Sequence, residues 1–249
     1  MSDLPVLGID IGGSGIKGAP VDLVAGDFTA DRLRIPTPAK STPTNVAQVV
    51  AEIVAAFADQ IGDGPIGVTI PAVVTHGNTR SAANIDPSWI DAPAEKIFSD
   101  ALGRKVVLVN DADAAGLAEV KFGAAKDNEG LVLVTTLGTG IGSALIYRGV
   151  LVPNTELGHL EIDGHDAETQ AAASVKTALG LSYDQYVPRL QRYYESVEAL
   201  FWPDLFVVGG GVSKASDKFL PKLKLKTPIV PAALRNRAGI IGAAWLAAN

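Results

Sequence analysis

Near its start the chain carries an apolar run, PVLGIDI, broken only by the carboxylate of Asp10 and followed by a glycine pair and Ser14, after which comes GIKGAPVDL. The first run predicts a buried strand and the second its hairpin partner. DFTADRLRIPT predicts a third strand. The gaps are too short for crossover helices, so a β-meander is expected. In TPTNVAQVVAEIVAAFADQIG, residues Val46, Val49, Val50, Ile53, Val54 and Phe57 fall at helical spacing, and Thr44 stands where a cap is needed. PIGVTIPAVV and KVVLVN predict strands, PSWIDAPAEKIFSDALG a helix in its second half, and ADAAGLAEVKFGA an amphipathic helix.

The pattern then restarts. GLVLVTTLGTGIGSALIYRGVLV predicts two strands across a glycine-rich turn and a third, shorter one. DAETQAAASVKTALG and YDQYVPRLQRYYESVEALFW predict helices, LFVVGGG a strand running into glycines, and AGIIGAAWLAAN a terminal helix. The order β-β-β-α-β-α-β-α, followed by a reduced version of itself, predicts an α/β chain with a duplicated architecture. There is no low-complexity stretch and no repeat of solenoid period.

Composition narrows the class. At 249 residues, 47% hydrophobic and 19% charged, the chain can bury a substantial core and is not disordered. No apolar run reaches the roughly 18 residues that span a bilayer, and MSDLPVLGID has no signal-peptide pattern. The absence of cysteine excludes disulfides and thiolate metal sites and is compatible with the cytoplasm. Charge is uneven. Between Lys214 and Arg237 seven basic residues face one acid, Asp217, in a chain whose net charge is −6, which leaves the remainder at −12. Such a block suits a polyanionic ligand or a solvated face.

Three glycine turns each follow an apolar strand: DIGGSGIKG (10–18), LGTGIGS (137–143) and VVGGGVS (207–213). Glycines let a backbone approach an anion with several N–H groups pointing inward, and they also serve simple turns. GTGIGS is no dinucleotide fingerprint, because a strand follows where that motif needs a helix, and the chain lacks a P-loop pattern. Asp10 could hold a divalent cation beside the first turn, or satisfy its own turn. In VNDADAAGLAE, Asn110 and Asp111 end a strand before a helix. A carboxylate there could accept a proton from an attacking hydroxyl, while Asp111 and Asp113 could equally cap the helix. NTELGHLEIDGHDAE gathers Glu156, His159, Glu161, Asp163, His165, Asp166 and Glu168. It fits no zinc spacing. Carboxylates and histidine suit a polyol, whose hydroxyls both donate and accept; a polar loop is the alternative.

Together these motifs resemble the ROK family of bacterial sugar kinases, within the actin–hexokinase superfamily, over nearly the whole chain. GIDIGGSGIKG resembles the first phosphate loop, VNDADAAGLAE the segment with the catalytic aspartate, and LGTGIGS the second phosphate loop. ELGH resembles the sugar-binding pair, and GIIGAA the final helix. SAANIDPSW, PNTELGHLEIDGHDAE and TPIVPAALRNRAGIIGAA are similar to the family's actinobacterial branch of polyphosphate glucokinases. That branch lacks the cysteine-rich zinc motif. Pro71-Ala72 departs from the family's usual Pro-Gly.

The resemblance implies a two-lobed ribonuclease H-like fold with the active site in the cleft, an N-terminal lobe over 1–111 rejoined by 236–249, and a C-terminal lobe over 112–235. It implies phosphoryl transfer from polyphosphate, and also ATP, to the 6-hydroxyl of glucose, with Mg2+ at Asp10 and no zinc. Asp111 would be the base. Asn84, Asn110, Glu156, His159 and Glu168 would hold the sugar. Asp10, Gly12, Gly13, Ser14 and Lys17 would line one phosphate loop and Gly138, Thr139 and Gly140 the other. Gly209, Gly210 and Gly211 would face adenosine or the distal phosphates. A cytoplasmic homodimer is expected. Rival expectations are an ATP-dependent glucokinase or glucomannokinase and a non-catalytic sugar sensor, against which the Asp10–Asp111 pair argues. The family's DNA-binding members need an N-terminal helix-turn-helix, whereas a strand is expected within a few residues of Met1, so neither nucleic acid nor membrane is an expected partner.

Overall fold

Glycine-rich turns between apolar runs make antiparallel hairpins, and one such hairpin stands in each of the two larger sheets. The computed structural model describes residues 5–82 and 85–249. The chain divides into two units, Met1–Ala118 with Arg237–Asn249, and Glu119–Asn236.

In the first unit, β1 (Val6–Gly12) pairs antiparallel with β2 (Gly15–Asp22). The expected third strand is two short ones, β3 (Asp27–Phe28) and β4 (Leu33–Ile35), on opposite ends of β2. Pro20 between those ends has no N–H to continue a ladder. Helix α1 (Pro43–Ala56) is capped by Thr42, not Thr44; its hydroxyl accepts from Asn45 N, and Pro43 begins the helix, where a missing N–H costs nothing. Strand β5 (Ile66–Ile70) stops at Pro71, short of the run to Val74 expected from the sequence, and β6 (Val74–Thr75) and β7 (Asn78–Thr79) form a separate hairpin. Then come α2 (Ala94–Leu102), β8 (Val106–Asn110) and α3 (Asp111–Phe122), which carries the chain out of this unit. Strands β1, β5 and β8 are parallel neighbours.

The second unit repeats the plan. Strand β9 (Leu131–Leu137) pairs antiparallel with β10 (Ile141–Tyr147), and β11 (Val150–Val152) completes the meander. A short hairpin of β12 (Glu161–Ile162) and β13 (His165–Asp166) precedes α4 (Glu168–Ala171) and α5 (Ala173–Ala178). The single helix expected there breaks at Ala172, whose backbone is extended. Helix α6 (Tyr183–Phe201) starts on a capping box of Ser182 and Gln185. Strands β14 (Leu205–Gly209) and β15 (Ile229–Pro231) extend the sheet in parallel from β9. Helix α7 (Ala238–Ala248) belongs to the first unit. It lies so close to β1 and β5 that a Cβ on Gly8 would overlap the Ile240 carbonyl, and one on Gly67 the Ala243 carbonyl.

Each unit has its own core: Leu7, Ile9, Val50, Ile53, Val68, Trp89 and Phe98 in the first, and Leu133, Tyr186, Tyr193, Tyr194 and Phe206 in the second. Among the described residues no helix is long and apolar enough to cross a membrane.

Candidate functional site

In the first unit, the candidate residues stand at the carboxyl ends of the parallel strands, where open α/β sheets bind ligands. The hairpin register sets Asp10 opposite Lys17, whose Nζ lies 3.1 Å from Asp10 Oδ2. The parallel register sets Thr69 beside it, and the Thr69 hydroxyl donates to Asp10 Oδ1 at 2.9 Å. The turn between the strands is held from outside. Thr37 Oγ1 donates to the Gly12 carbonyl at 2.5 Å, and Arg34 Nη2 to the Ser14 carbonyl at 2.7 Å. Gly13 and Ser14 at its tip are exposed.

Further along the sheet, on β8, Asn110 is buried, and its amide makes three hydrogen bonds to the fold that use one of the two hydrogens on Nδ2. Nδ2 donates to the Ala72 carbonyl at 3.1 Å, and Oδ1 accepts from Ala112 N at 2.8 Å and Asp113 N at 3.1 Å, which caps α3. Ala72 keeps a negative φ, so the residue in place of the family's glycine is unstrained. Spacing leaves Asp111 and Asp113 equivalent as bases; burial separates them. Asp113 is 1% exposed, whereas Asp111 is partly open to solvent and accepts from Ala112 N at 2.8 Å. Asn84 lies outside the described residues.

In the second unit, the glycines of the other two turns differ in kind. Gly210 has φ +80°, and a Cβ there would run into the Leu137 backbone, so the fold requires it. Gly138 and Gly211 have ordinary backbone, and a Cβ on either would meet nothing. Neither conformation nor packing asks for glycine at those two positions; what they leave is open space beside the turns, with the Gly138 N–H donated to the Gly140 carbonyl at 3.0 Å. A Cβ on Gly140 would overlap the Glu168 carboxylate, and Glu168 Oε2 accepts from Ile141 N at 3.0 Å. The break at Ala172 lets Ser174 reach the same turn, with its N–H on the Gly138 carbonyl at 3.0 Å and its hydroxyl on the Thr139 carbonyl at 2.5 Å.

Glu156 and His159 reach Glu168 through a loop clamped to β10. Ser143 Oγ donates to the Thr155 carbonyl at 2.5 Å and accepts from Leu157 N at 2.9 Å, while Thr155 Oγ1 donates back to the Ser143 carbonyl at 3.1 Å. Gly158 packs on the Ile141 carbonyl with no room for a Cβ. Lost solvation raises the Glu156 carboxyl above its ordinary range although its outer edge is open; Glu168 raises it further and His159 opposes. His159 is raised chiefly by its hydrogen bond to Asp166, with Glu168 and Glu156 adding to it. One atom each from His159, Asp166 and Glu168 lie within 4.8 Å of one another. A cation there would have to displace the His159–Asp166 bond.

The glycine motifs and the ELGH segment were legible in the sequence. The supports were not: Thr69, Thr37, Ser143 and Thr155 act across register or loop contacts that spacing does not encode, and Asp166, one of the acids named in the cluster, had no partner assigned. Glu119 was missed too. It is buried, and its carboxylate accepts from Ala124, Ala233 and Leu234 N–H groups.

The ROK family's sequence profile matches residues 6–173. The chain belongs to the ROK family. It is 52% identical over 238 residues to a polyphosphate glucokinase of Mycobacterium tuberculosis, covering 95% of this chain and 89% of that one. It is similar to the crystal structure of an inorganic polyphosphate/ATP-glucomannokinase from Arthrobacter, with 55% identity, a TM-score of 0.94 and 98% of both chains covered. A glucokinase from Streptomyces griseus, solved with glucose and AMPPNP, shares the fold at 23% identity and a TM-score of 0.79, over 97% of this chain and 98% of that one. ROK members have the two-lobed sugar-kinase fold expected from the motifs.

Proposed function

We propose that the protein is a polyphosphate-dependent glucokinase that also accepts ATP. The observation that carries the reading is the contact between the 138–140 turn and Glu168. It sets a polyol-binding set of Glu156, His159 and Glu168 against a glycine turn with room left for phosphate. Two relatives that use polyphosphate by name, at 52% and 55% identity over nearly the full chain, support the choice of donor.

Asp111 takes the proton from the glucose 6-hydroxyl. As the O6–phosphorus bond forms, the bond from that phosphorus to the rest of the donor breaks. Glucose 6-phosphate leaves, together with a chain one phosphate shorter, or ADP. Glu156, His159, Glu168 and Asn110 hold the sugar. Lys17, Gly12, Gly13 and Ser14, with Gly138, Thr139 and Gly140, hold phosphate oxygens. Gly209 and Gly211 flank the position for the rest of the donor, and Gly210 keeps that turn against β9.

Asp10 suits Mg2+. Lys17 and Thr69 take one lone pair on each of its oxygens, others remain, and its side chain is 22% exposed. Mg2+ binds through one or two carboxylates, keeping waters and phosphate oxygens as its other ligands, and when bound it offsets phosphate charge. We take the protein to be a cytoplasmic homodimer, as the family resemblance implies; light scattering tests the assembly.

Initial rates with glucose, comparing polyphosphate and ATP, test the reading. Phosphorylation from polyphosphate is expected. No glucose 6-phosphate from either donor would sink the kinase, and product from ATP alone would sink the polyphosphate assignment. Mannose in the same assay measures whether the acceptor range matches the Arthrobacter relative's name.

A further inference from the structure

A two-residue turn sets the geometry. Asp163 and Gly164 both have positive φ, 55° and 78°, as a type I′ hairpin requires. The turn fixes the register of Glu161 opposite Asp166 and Ile162 opposite His165. The hairpin is held at three points. Arg192 grips Asp163 with two hydrogen bonds of 2.7 Å, Ile162 is buried in the core of its unit, and Ala167 N donates to the Leu160 carbonyl at 3.0 Å.

The residue this hairpin delivers is Asp166, and both its oxygens are engaged. Oδ2 meets His159 Nδ1 at 2.8 Å, and Oδ1 accepts from Glu168 N at 3.2 Å. One carboxylate thus touches two of the residues assigned to the sugar. We propose that Asp166 is a positioning residue for the sugar site, fixing the ring of His159 through Nδ1 and the backbone that aims Glu168. The proposal rests on the reading that His159 and Glu168 hold the sugar.

The chemistry follows from the tautomer. A carboxylate accepts, so Nδ1 carries the proton and Nε2 is the nitrogen left for a hydroxyl. The charged groups facing His159 are Asp166, Glu168 and Glu156. All three are acidic and favour its protonated form against partial desolvation. The His159 midpoint therefore lies above that of a free imidazole. The sign is that of a raised base: the stabilisation is complete below the free imidazole's midpoint and is lost as pH rises through the raised one.

The test uses the full chain with Asp166→Ala, Asp166→Asn, Asp166→Glu, His159→Ala and Glu168→Gln. Three quantities are read: glucose affinity by calorimetry without donor, the split between KM and kcat, and the His159 midpoint by NMR. Asp166→Ala should weaken glucose binding about tenfold, the order of one lost charge-assisted hydrogen bond, with a smaller change in kcat. It should also lower the His159 midpoint. Asp166→Asn keeps an acceptor and should fall between Ala and wild type, and Asp166→Glu should regain part of the loss. Weakened binding in His159→Ala and Glu168→Gln with unchanged binding in Asp166→Ala would overturn the positioning role and leave the sugar site standing. Unchanged binding in His159→Ala and Glu168→Gln would overturn the sugar assignment itself. A lower melting temperature in Asp166→Ala, with glucose affinity and the His159 midpoint both intact, would make Asp166 merely structural and overturn the proposal.

Discussion

At the scale of single residues, burial does what spacing could not. Asp111 and Asp113 sit two apart at the start of one helix, and both could cap it. Only Asp111 meets solvent; Asp113 is 1% exposed. Asp111→Asn should keep the fold and glucose binding while lowering kcat by roughly two to four orders of magnitude, the span of a general base. Near-normal kcat in Asp111→Asn, with loss in a folded Asp113→Asn, would reverse the assignment. Glu168 Oε2 accepts from Ile141 N at 3.0 Å. Glu168→Gln should raise the KM for glucose more than that for the donor, and steady-state kinetics with each substrate varied in turn would measure both. An unchanged glucose KM would place Glu168 outside the sugar site.

At the scale of elements, two features carry consequences. The first is the terminal helix, pressed onto its sheet through glycines. A methyl on Gly67 would overlap the Ala243 carbonyl, and backbone cannot step aside as a flexible side chain can. Gly67→Ala should cost about 1–3 kcal/mol and lower Tm by roughly 5 °C, read by calorimetry. An unchanged Tm would mean that α7 has slack. The second is the basic stretch. KLKLK could have been an edge strand, but among the described residues no strand lies between Gly209 and Ile229. Lys218, Lys222, Lys224 and Lys226 are exposed, with Lys222 Nζ 2.5 Å from Asp184, Lys218 over the Tyr183 ring and Lys226 over Trp202. These contacts line the lysines along the surface beside α6, where a long polyanion could follow them. Replacing all four by glutamine should raise the KM for long polyphosphate and weaken its salt dependence, since such attraction is screened over roughly 8–10 Å. ATP and very short polyphosphate should be nearly unaffected. A solvated face predicts that donors of every length respond alike, or that none does.

At the scale of the molecule, phosphoryl transfer requires charge neutralisation, and Asp10 is the one acid at the first glycine turn. Stripping magnesium should abolish activity and its return restore it, while a zinc-selective chelator should leave the rate intact. Loss with the zinc chelator would point instead to the His159, Asp166 and Glu168 cluster. The two glycine hairpins, the strands that follow them, the terminal helix and the family were all legible in the sequence; the parallel pairing of β1, β5 and β8 was not. Hydrophobic period and glycine placement are local signals, and each strand or turn reads its own neighbours. It misread what depends on partners. A third strand became two because β2 contains Pro20, and one helix broke at Ala172. Only the tertiary structure decided which aspartate meets solvent, which glycines leave room and which the fold requires, and that Asp166 joins His159 to Glu168. Those outcomes depend on sheet register and on packing between segments far apart in the chain, such as Asp10 with Thr69 and Ile141 with Glu168. Spacing along a sequence carries no measure of either.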